Sequence, residues 1–486
     1  MLIFRRILFY SFLTSYLITC PLTVLYALGL IYKPGTEYGF VKTGLIYLST
    51  APPGAAIYLN QRHYAQAAPA MIRNLIPNNY RVRIEMPGYQ AWEQTIPVKA
   101  EKASALDFVL LLPKEWKSAT LTEGPFVDLR GIIGSKNILL MSGKHLKEYF
   151  VYSLEKKKIF EISQTSLADY EVDDLYSVPG SSVVIFKLVL NEKVSYAKLD
   201  LSNDHFLLTD ISSVLANGFT HLKWSSQNAD ILYCWHDGIL DKLDVSSGTV
   251  QSAFVKDVQG YGANNHHLYV LKKNGSLIKT DDKGNDPKLL SRDHATSAEI
   301  FQPGKFYDIY AYPPDVLVLV GESGDLVTNR LPYRVVDSHV RTFEFSKKSK
   351  RLLILRDSLL GVLDFSVPET LSDEAFQVGS KLSWVLKERQ NMAQAFWVYE
   401  GSHILFREGN KIFILDFETY EAPKENFVVE VKNGSSVYFS EDSGLLYYLD
   451  ASSGNLLSLE VFPKKQILNI PFPERTEPIL REDKNE

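Results

Sequence analysis

The chain has 486 residues and a formal net charge of −5, so it has no basic excess that would support nucleic-acid binding. Aromatic residues make up 12% of it, which favours strands over helices. The two cysteines, Cys20 and Cys234, give neither a disulfide framework nor a cysteine-based zinc site, since Cys20 lies in an apolar run. Length and composition together indicate an all-β protein of several domains.

An uncharged segment near the N-terminus is long enough to cross a bilayer. Ile7 to Tyr32 is free of charged residues, and a helix needs roughly 20 residues to span the hydrocarbon core. Arg5 and Arg6 precede the segment, and Lys33 is the first charge after it. The positive-inside rule therefore predicts a cytoplasmic stub at residues 1–6 and a transmembrane anchor at residues 7–32. The rest of the chain is expected to be extracytoplasmic, in the periplasm or at the cell surface.

Two other interpretations of this segment stay open. A cleaved signal peptide has a shorter apolar region and a small-residue cleavage site, to which Ala27-Leu28-Gly29 is a weak match. A lipoprotein would use Cys20, but Thr19 is a poor residue before the modified cysteine and the apolar run continues to Tyr32. The sequence favours an uncleaved anchor.

Residues 43–113 have the pattern of a small β-sandwich. Ala51-Pro52-Pro53-Gly54 predicts a turn, because proline fixes φ and glycine accepts positive φ. Tyr80 to Glu85 alternates apolar and charged residues, which is typical of a half-buried strand. The module is near the lower size limit for independent folding. Further strands are predicted at residues 41–50, 56–59, 95–98 and 106–112.

The amino-acid sequence of these turns resembles that of the PEGA domain family. Asn78 stands where the family usually has the glycine of Pro-Gly, and Gln66 to Pro69 replaces its Gly-x-Thr-Pro segment. The resemblance implies an extracytoplasmic spacer or adhesion module of cell envelopes, without catalytic residues. The matching residues are Ser49, Pro52 to Ala55, Ile57 to Leu59, Leu75 to Val82, Pro87 to Tyr89, Val98 and Leu111 to Pro113.

The segment after this module, residues 114–124, is polar and turn-prone and is predicted to be a linker. From residue 125 to residue 465 a pair of short strands recurs, and the second strand of each pair ends in Leu-Asp or an equivalent. Repeats of roughly 40 residues with several strands each are typical of β-propellers. The aspartates are Asp200, Asp244, Asp281, Asp364, Asp416 and Asp450, at steps of 44, 37, 83, 52 and 34 residues.

The strand upstream of each aspartate is also visible, and together the pairs predict a β-propeller of seven or eight blades. The Gly-His and Trp-Asp signature of WD repeats is missing, and two separate β-sandwiches are the alternative. Leu382 to Gln394 is predicted as a helical insertion, and the Pro-rich, charged tail at residues 466–486 as disordered. The upstream strands are predicted at residues 138–141, 183–186, 231–235, 268–271, 316–320, 352–355, 404–406 and 436–439.

Each pattern that suggests catalysis or metal binding has a simpler explanation. His266-His267 has no ligand partner at suitable spacing, and Asp281 to Asp286 lacks the spaced carboxylates of a calcium loop. Ser153 to Lys156 and Ser276 to Lys279 match Ser-x-x-Lys without the companion motifs of penicillin-binding enzymes. Asp173-Asp174 is one of many acidic pairs expected by chance. We therefore predict no catalytic, cofactor-binding or metal residue, no cofactor and no enzyme activity.

Other polar and aromatic residues also have structural interpretations. Asn274-Gly275 and Asn433-Gly434 begin glycosylation sequons, but Asn-Gly between apolar strands is a strong hairpin signal, which we prefer. Four tryptophans of the repeat region are expected mostly between blades rather than in a sugar or peptide groove. They are Trp224, Trp235, Trp384 and Trp397.

The sequence as a whole predicts a membrane-anchored, extracytoplasmic binding or scaffold protein of the cell envelope. Its partner would be an envelope protein or a cell-wall polymer, contacted by loops at one propeller face, and not a nucleic acid. The alternative is an extracytoplasmic propeller enzyme, a hydrolase or lyase acting on polysaccharide or peptide. That activity would need acidic or histidine side chains converging at the mouth of the channel. A plain spacer would have no concave site.

Overall fold

A computed structural model of the chain consists of an N-terminal helix, a small β-sandwich and a ring of four-stranded sheets. It describes the chain from residue 2 to residue 463 with internal gaps, and the tail predicted at residues 466–486 lies outside the described residues. The gaps are residues 28, 33–38, 133–134, 163–165, 178–181, 203–205, 216–218, 226–227, 229, 265–266, 282, 291–299, 313–315, 330–333, 366–381 and 418.

The N-terminal helix α1 comprises Leu2–Ala27. Its part from Phe4 to Leu25 is long and apolar enough to cross a membrane and is not buried within the molecule. The helix ends earlier than predicted, because Gly29 has φ +72° and the chain continues as strand β1, Leu30–Tyr32. Strand β1 pairs antiparallel with β2, Phe40–Lys42. The predicted anchor therefore includes one short strand at its C-terminal end.

Seven strands form the β-sandwich, and its core consists of the inward-facing residue of every second position. Ile46, Leu48, Ile57 and Val82 are fully buried. One sheet has the order β6-β3-β9 and the other β5-β4-β7-β8. The strands are β3 Gly44–Ala51, β4 Ala56–Leu59, β5 Arg62–His63, β6 Ala70–Leu75, β7 Asn78–Glu85, β8 Trp92–Val98 and β9 Ala103–Leu110.

The strands that follow form a β-propeller, in which consecutive groups of four antiparallel strands make successive sheets. The described strands fall into eight such groups of four, which we number as sheets 1 to 8, and sheets 4 and 5 are joined into one eight-stranded sheet by the parallel pairing of their first strands; the blade number of the whole chain stays a prediction. The first strand of each sheet is innermost, since first strands of neighbouring sheets contact each other. Strand β10 is Ser118–Thr122. Sheets 1 to 4 contain β11 Asp128–Gly131, β12 Asn137–Met141, β13 Tyr149–Ser153, β14 Lys158–Glu161; β15 Glu171–Ser177, β16 Val183–Leu190, β17 Lys193–Asp200, β18 Leu208–Asp210; β19 Thr220–Trp224, β20 Ile231–His236, β21 Ile239–Asp244, β22 Thr249–Val255; β23 Val258–Asn264, β24 His267–Lys272, β25 Leu277–Asp281 and β26 Lys288–Leu289.

Sheets 5 to 8 complete the ring, and sheet 8 closes it. Its three C-terminal strands take β10 as their fourth, outermost strand. Residues 118–122, predicted as part of a linker, therefore belong to the propeller. The remaining strands are β27 Tyr307–Tyr312, β28 Val316–Gly321, β29 Leu326–Thr328, β30 Arg334–Asp337; β31 Thr342–Ser346, β32 Arg351–Leu355, β33 Leu360–Asp364, β34 Ser383–Leu386; β35 Met392–Val398, β36 His403–Glu408, β37 Lys411–Asp416, β38 Lys424–Glu430; β39 Tyr438–Ser440, β40 Leu445–Leu449 and β41 Leu456–Glu460.

The repeated aspartate marks the end of the third strand in five sheets, but Asp450 follows the second strand of sheet 8. The aspartate pattern is therefore shifted by one strand in sheet 8. The short step of 34 residues from Asp416 to Asp450 has this origin. Several of these aspartates close turns: Oδ1 of Asp244 accepts the amides of Ser246 and Ser247, at 3.0 and 3.1 Å.

The helix predicted from Leu382 to Gln394 is wrong. Strand β34 and the start of β35 occupy the described part of that segment. Both strands pair with their own sheets, and Trp384 lies opposite Gly361. Sheet pairing thus overrides the weak helical periodicity of this stretch.

Candidate functional site

The propeller has two faces with different neighbours. Strand alternation places the loops between first and second and between third and fourth strands at one face, which we call the docking face. The loops between second and third strands and the connections between sheets form the opposite, open face. Contacts agree with this division: Lys432 Nζ donates to the Phe126 carbonyl at 2.7 Å on the open face. On the docking face Lys348 lies 3.1 Å from Glu400.

The β-sandwich packs on the docking face at sheets 7 and 8. Ala51 and Leu110 from the sandwich belong to one buried apolar cluster with Val398 and Tyr399 at the end of β35. Phe108 also meets the ring of Tyr399 edge to face, with centroids 6.1 Å apart. The sandwich and the propeller therefore share a core and are not joined by a linker alone.

Polar contacts complete this interface along the edge strand β8. The Trp92 indole Nε1 donates to Asp416 Oδ2 at 3.1 Å, and the Thr95 amide donates to Glu421 Oε1 at 2.9 Å. Lys424 Nζ donates to the carbonyl of Glu93 at 2.9 Å. The amide of Thr95 also lowers the pKa of Glu421. The loop after β37 thus satisfies edge groups that would otherwise be free to pair with another strand.

A Ser-His-Asp series lies behind this interface. Ser402 Oγ and His403 Nδ1 are 2.8 Å apart, and His403 Nε2 lies 3.8 Å from Asp416 Oδ1. Ser402 and His403 are 1% and 2% exposed, so no substrate can reach the hydroxyl. Ser402 also donates to the Tyr399 carbonyl at 2.7 Å. This series supports Asp416 as a hydrogen-bond acceptor for Trp92 and is not a catalytic triad.

The innermost strands carry charged side chains that join sheets 3, 4 and 5. Lys223 Nζ lies 2.6 Å from Asp308 Oδ1 and donates to the Tyr261 carbonyl at 3.0 Å. The same ammonium lies 5.2 Å from the ring centroid of Tyr261 and 5.3 Å from that of Tyr310. Burial raises the pKa of Tyr310. The ammonium group of Lys223 therefore has its ion-pair, hydrogen-bond and cation–π partners within the protein.

First strands differ in how far they are exposed. Strand β23 is buried along most of its length, whereas β15 is open to solvent. Asp173 on β15 pairs with Lys187 at 2.7 Å, and Asp174 Oδ1 accepts the amide of Leu175 at 2.7 Å. The Asp173-Asp174 pair considered from the sequence therefore has two separate partners. The exposed residues of β15 make the inner side of sheet 2 polar.

A second group of acids lies on the inner side of sheets 6 to 8. Burial raises the pKa of Glu344 to about 8, although its side chain accepts the Trp397 amide at 2.7 Å. Lys348 bridges Glu400 at 3.1 Å and Glu441 at 3.6 Å, joining loops of three sheets at the docking face. Among the described residues no three His, Cys, Asp or Glu side chains are arranged to hold a metal ion.

The motifs weighed as catalytic or metal sites occupy turns and strands. Asp281 Oδ1 accepts the amides of Lys283 and Asn285, at 3.0 and 2.6 Å, as expected for a turn. His267 lies in β24 opposite Asp281, and His266 falls outside the described residues. Ser153 Oγ accepts the amide of Lys156 at 3.4 Å. Ser276 is 4% exposed, and Lys279 lies over the ring of Tyr269 at 5.7 Å.

The two Asn-Gly pairs differ. Asn274-Gly275 is the hairpin turn between β24 and β25, with Gly275 at φ +82°. Asn433-Gly434, predicted as a hairpin, lies in the connection from sheet 7 to sheet 8, where Gly434 has φ +77°. The turn signal is the same, but the next strand starts a new sheet.

The tryptophans are placed within and between sheets. Trp224 and Trp397 are 1% and 2% exposed, and Trp235 donates to the Val258 carbonyl at 3.0 Å. Trp384 is half-buried, with Arg356 over its ring at 5.8 Å. Sequence reasoning missed Trp92, the one that joins the two modules, since nothing near it marks an interdomain contact.

Comparison with known proteins identifies the sandwich. Residues 43–111 match the PEGA domain family. No curated protein is similar to the chain in sequence.

Several solved structures resemble the propeller. The Dos1 propeller has a TM-score of 0.44 at 13% identity and covers 72% of this chain and 95% of its own. The designed protein Ika8 has a TM-score of 0.41 at 12% identity, covering 70% and 98%. The Cps50 (Swd1) propeller domain of Myceliophteria thermophila has a TM-score of 0.34 at 11% identity, covering 71% and 100%. At these values the likenesses say nothing of ligand or activity, and the propeller is assigned from the order and pairing of its own strands. The chain therefore joins a PEGA domain to a β-propeller behind one apolar N-terminal helix.

Proposed function

We propose that the protein is a membrane-anchored binding or scaffold protein of the cell envelope, with its bulk on the extracytoplasmic side. The helix has the length and apolarity of a single anchor. The PEGA domain supports an extracytoplasmic location, and it follows the helix after the two short strands β1 and β2. The partner is an envelope protein or a cell-wall polymer.

One observation carries this proposal further, namely the side on which the PEGA domain packs. It covers the docking face at sheets 7 and 8, through Ala51, Leu110 and Trp92. That face is therefore turned toward the anchor, and the open face is turned away from the membrane. Loops at the open face are the part of the propeller that a large partner can reach without meeting the PEGA domain.

Site-specific photocrosslinking in whole cells tests the assignment of the face. A photoreactive amino acid at Lys256 or Asp357 lies in exposed open-face loops, and one at Ser247 or Lys283 lies in exposed docking-face loops. We expect the open-face positions to give a discrete crosslinked product and the docking-face positions to give none. Crosslinks from the docking-face positions alone would contradict the proposal. A chain ending near Lys114 is the control for partners of the anchor and PEGA domain.

A second candidate function follows from Glu344. A carboxyl group whose pKa is raised to about 8 is protonated at neutral pH and can act as a general acid. Glu344 is also partly exposed on the innermost strand β31, which is where the alternative, an extracytoplasmic hydrolase or lyase acting on polysaccharide or peptide, needs an acid. Purified protein would then release fragments from cell-wall material, and Glu344→Gln would abolish that release. Equal release, or none, from both proteins would exclude Glu344 as the acid.

A further inference from the structure

The PEGA domain has one end against the helix and the other against the propeller. The carbonyl of Gly29 accepts hydrogen bonds from both the amide and the hydroxyl of Thr43, each at 2.8 Å. Strand β3 starts at this point, and its last residue, Ala51, packs on the propeller. At about 3.3 Å per residue, β3 holds the two ends roughly 25 Å apart.

The end beside the helix is basic. Of the residues that the structure describes, four exposed basic side chains lie there, Lys42, Arg73, Lys99 and Lys102, and one carboxylate, Glu101, which is 2.6 Å from Lys42. The pairing of the strands fixes their position, because the turn from Lys99 to Lys102 follows β8 and leads into β9 beside the start of β3.

Gly44 keeps this turn close to the start of β3. A Cβ atom at Gly44 would lie 2.4 Å from the carbonyl oxygen of Lys99 and 3.0 Å from that of Lys102. The amide of Leu45 donates to the carbonyl of Lys102 at 3.2 Å, and that of Glu101 to the carbonyl of Thr43 at 2.9 Å. These contacts hold the basic turn, Lys99 to Lys102, against the first residues of β3. Thr43, which is hydrogen-bonded to Gly29 at the end of the helix, comes directly before them.

The loop between β6 and β7 lies at the same end and adds an apolar tip. Leu75 pairs with Gly44, and Asn78 pairs with Val98. Between them are Ile76, which is half-buried, and Pro77, which is exposed. An apolar tip within a group of basic side chains is the composition that favours contact with an anionic bilayer surface.

We infer that this end of the PEGA domain lies on the bilayer and binds the headgroups of anionic phospholipids through Lys42, Arg73, Lys99 and Lys102. The inference rests on the proposed membrane anchor. At the opposite end of the domain, near the propeller, Glu85 and Glu93 are paired with Arg83 and Arg81. Headgroup contact on one side and propeller packing on the other would fix the height and tilt of the propeller above the membrane.

Hydrogen–deuterium exchange of the full chain in lipid nanodiscs tests the inference. One preparation contains phosphatidylcholine alone, and the other contains phosphatidylglycerol as well. We expect amide exchange in residues 76–79 and 99–102 to slow several-fold in the anionic bilayer, and high salt to remove the difference. Lys99→Glu with Lys102→Glu should abolish it. The matched control, Lys114→Glu with Lys117→Glu, makes the same charge change at the propeller end and should keep it.

Equal exchange in the two bilayers for the native chain would overturn the headgroup inference while leaving the anchor intact. The same would follow if the control variant lost the lipid dependence as fully as the Lys99 and Lys102 variant. A chain that does not enter nanodiscs at all would overturn the proposed anchor and the headgroup inference together.

Discussion

The indole of Trp92 and the carboxylate of Asp416 are 324 residues apart in the chain and are joined by a hydrogen bond of 3.1 Å. Asp416 is one of the aspartates that end third strands in the propeller. In sheet 7 this repeated residue accepts a hydrogen bond from the PEGA domain, and buried His403 lies behind it. A repeat element of the propeller thus also fixes the orientation of the neighbouring module.

Trp92→Ala should loosen the packing of the PEGA domain on the propeller. Loss of a half-buried indole and its hydrogen bond is expected to cost about 2 kcal/mol of interface stability. Amide exchange at Thr95, which donates to Glu421, reports the interface directly. We expect faster exchange there than in the native chain. Trp384→Ala is the control, since it removes a half-buried indole from sheet 6; equal acceleration at Thr95 in both variants would contradict the assignment.

The sequence predicts strands better than it predicts what joins them. Continuous apolar runs locate the second strands of seven sheets, because each is a short apolar segment between turn residues. The segment at residues 436–439 is likewise predicted as the strand upstream of an aspartate, but it leads into β39, the first strand of sheet 8. The pairing of β10 with β41, whose residues are more than 300 positions apart, is likewise not recorded by any local pattern.

The candidate site was less predictable for the same reason. The interface of Trp92, Glu93 and Thr95 with the loop after β37 consists of ordinary polar residues whose partners are remote in sequence. Glu344 resembles any acid in an alternating strand until the neighbouring strand β35 covers it. Burial by other parts of the chain, which raises its pKa, is a property of the assembled ring.

Gly262→Ala should destabilise the propeller far more than an alanine at an open glycine. Strands β23 and β27 pair in parallel, and a Cβ at Gly262 would lie 1.9 Å from the carbonyl oxygen of Ile309. Since a backbone atom cannot move aside cheaply, we expect a melting temperature lower by about 10 °C. At Gly248, φ is +66° and no atom lies within 4 Å of the added Cβ. Gly248→Ala should therefore cost only about 3 °C, and equal losses would argue against the close pairing.

Glu344→Gln should stabilise the protein at alkaline pH. Because the pKa of Glu344 is about 8 in the folded protein and lower when unfolded, the folded state holds the extra proton between these values. Folding stability therefore falls as pH rises from about 4.5 to 8, by the linkage relation. The neutral amide lacks this loss, so the variant should be more stable by up to about 5 kcal/mol at pH 8.5 and equal to the native chain near pH 4. Urea unfolding at both pH values measures it, and a difference independent of pH would contradict the buried-acid explanation.

Removal of β10 should open the ring even though this strand lies outside the repeat. A chain starting at residue 125 lacks Ser118–Thr122, which pairs with β41, and exposes an unpaired edge beside Leu457 and Leu459. A chain starting at residue 114 keeps the strand and the hydrogen bond of 2.7 Å from Tyr448 to Ser118. We expect the shorter chain to melt about 10 °C lower and to aggregate on concentration, because an open sheet 8 pairs with other copies. Both chains lack the PEGA domain, so the comparison isolates the effect of β10. Identical melting temperature and solubility would contradict this prediction and would indicate that residues 118–122 act only as a linker.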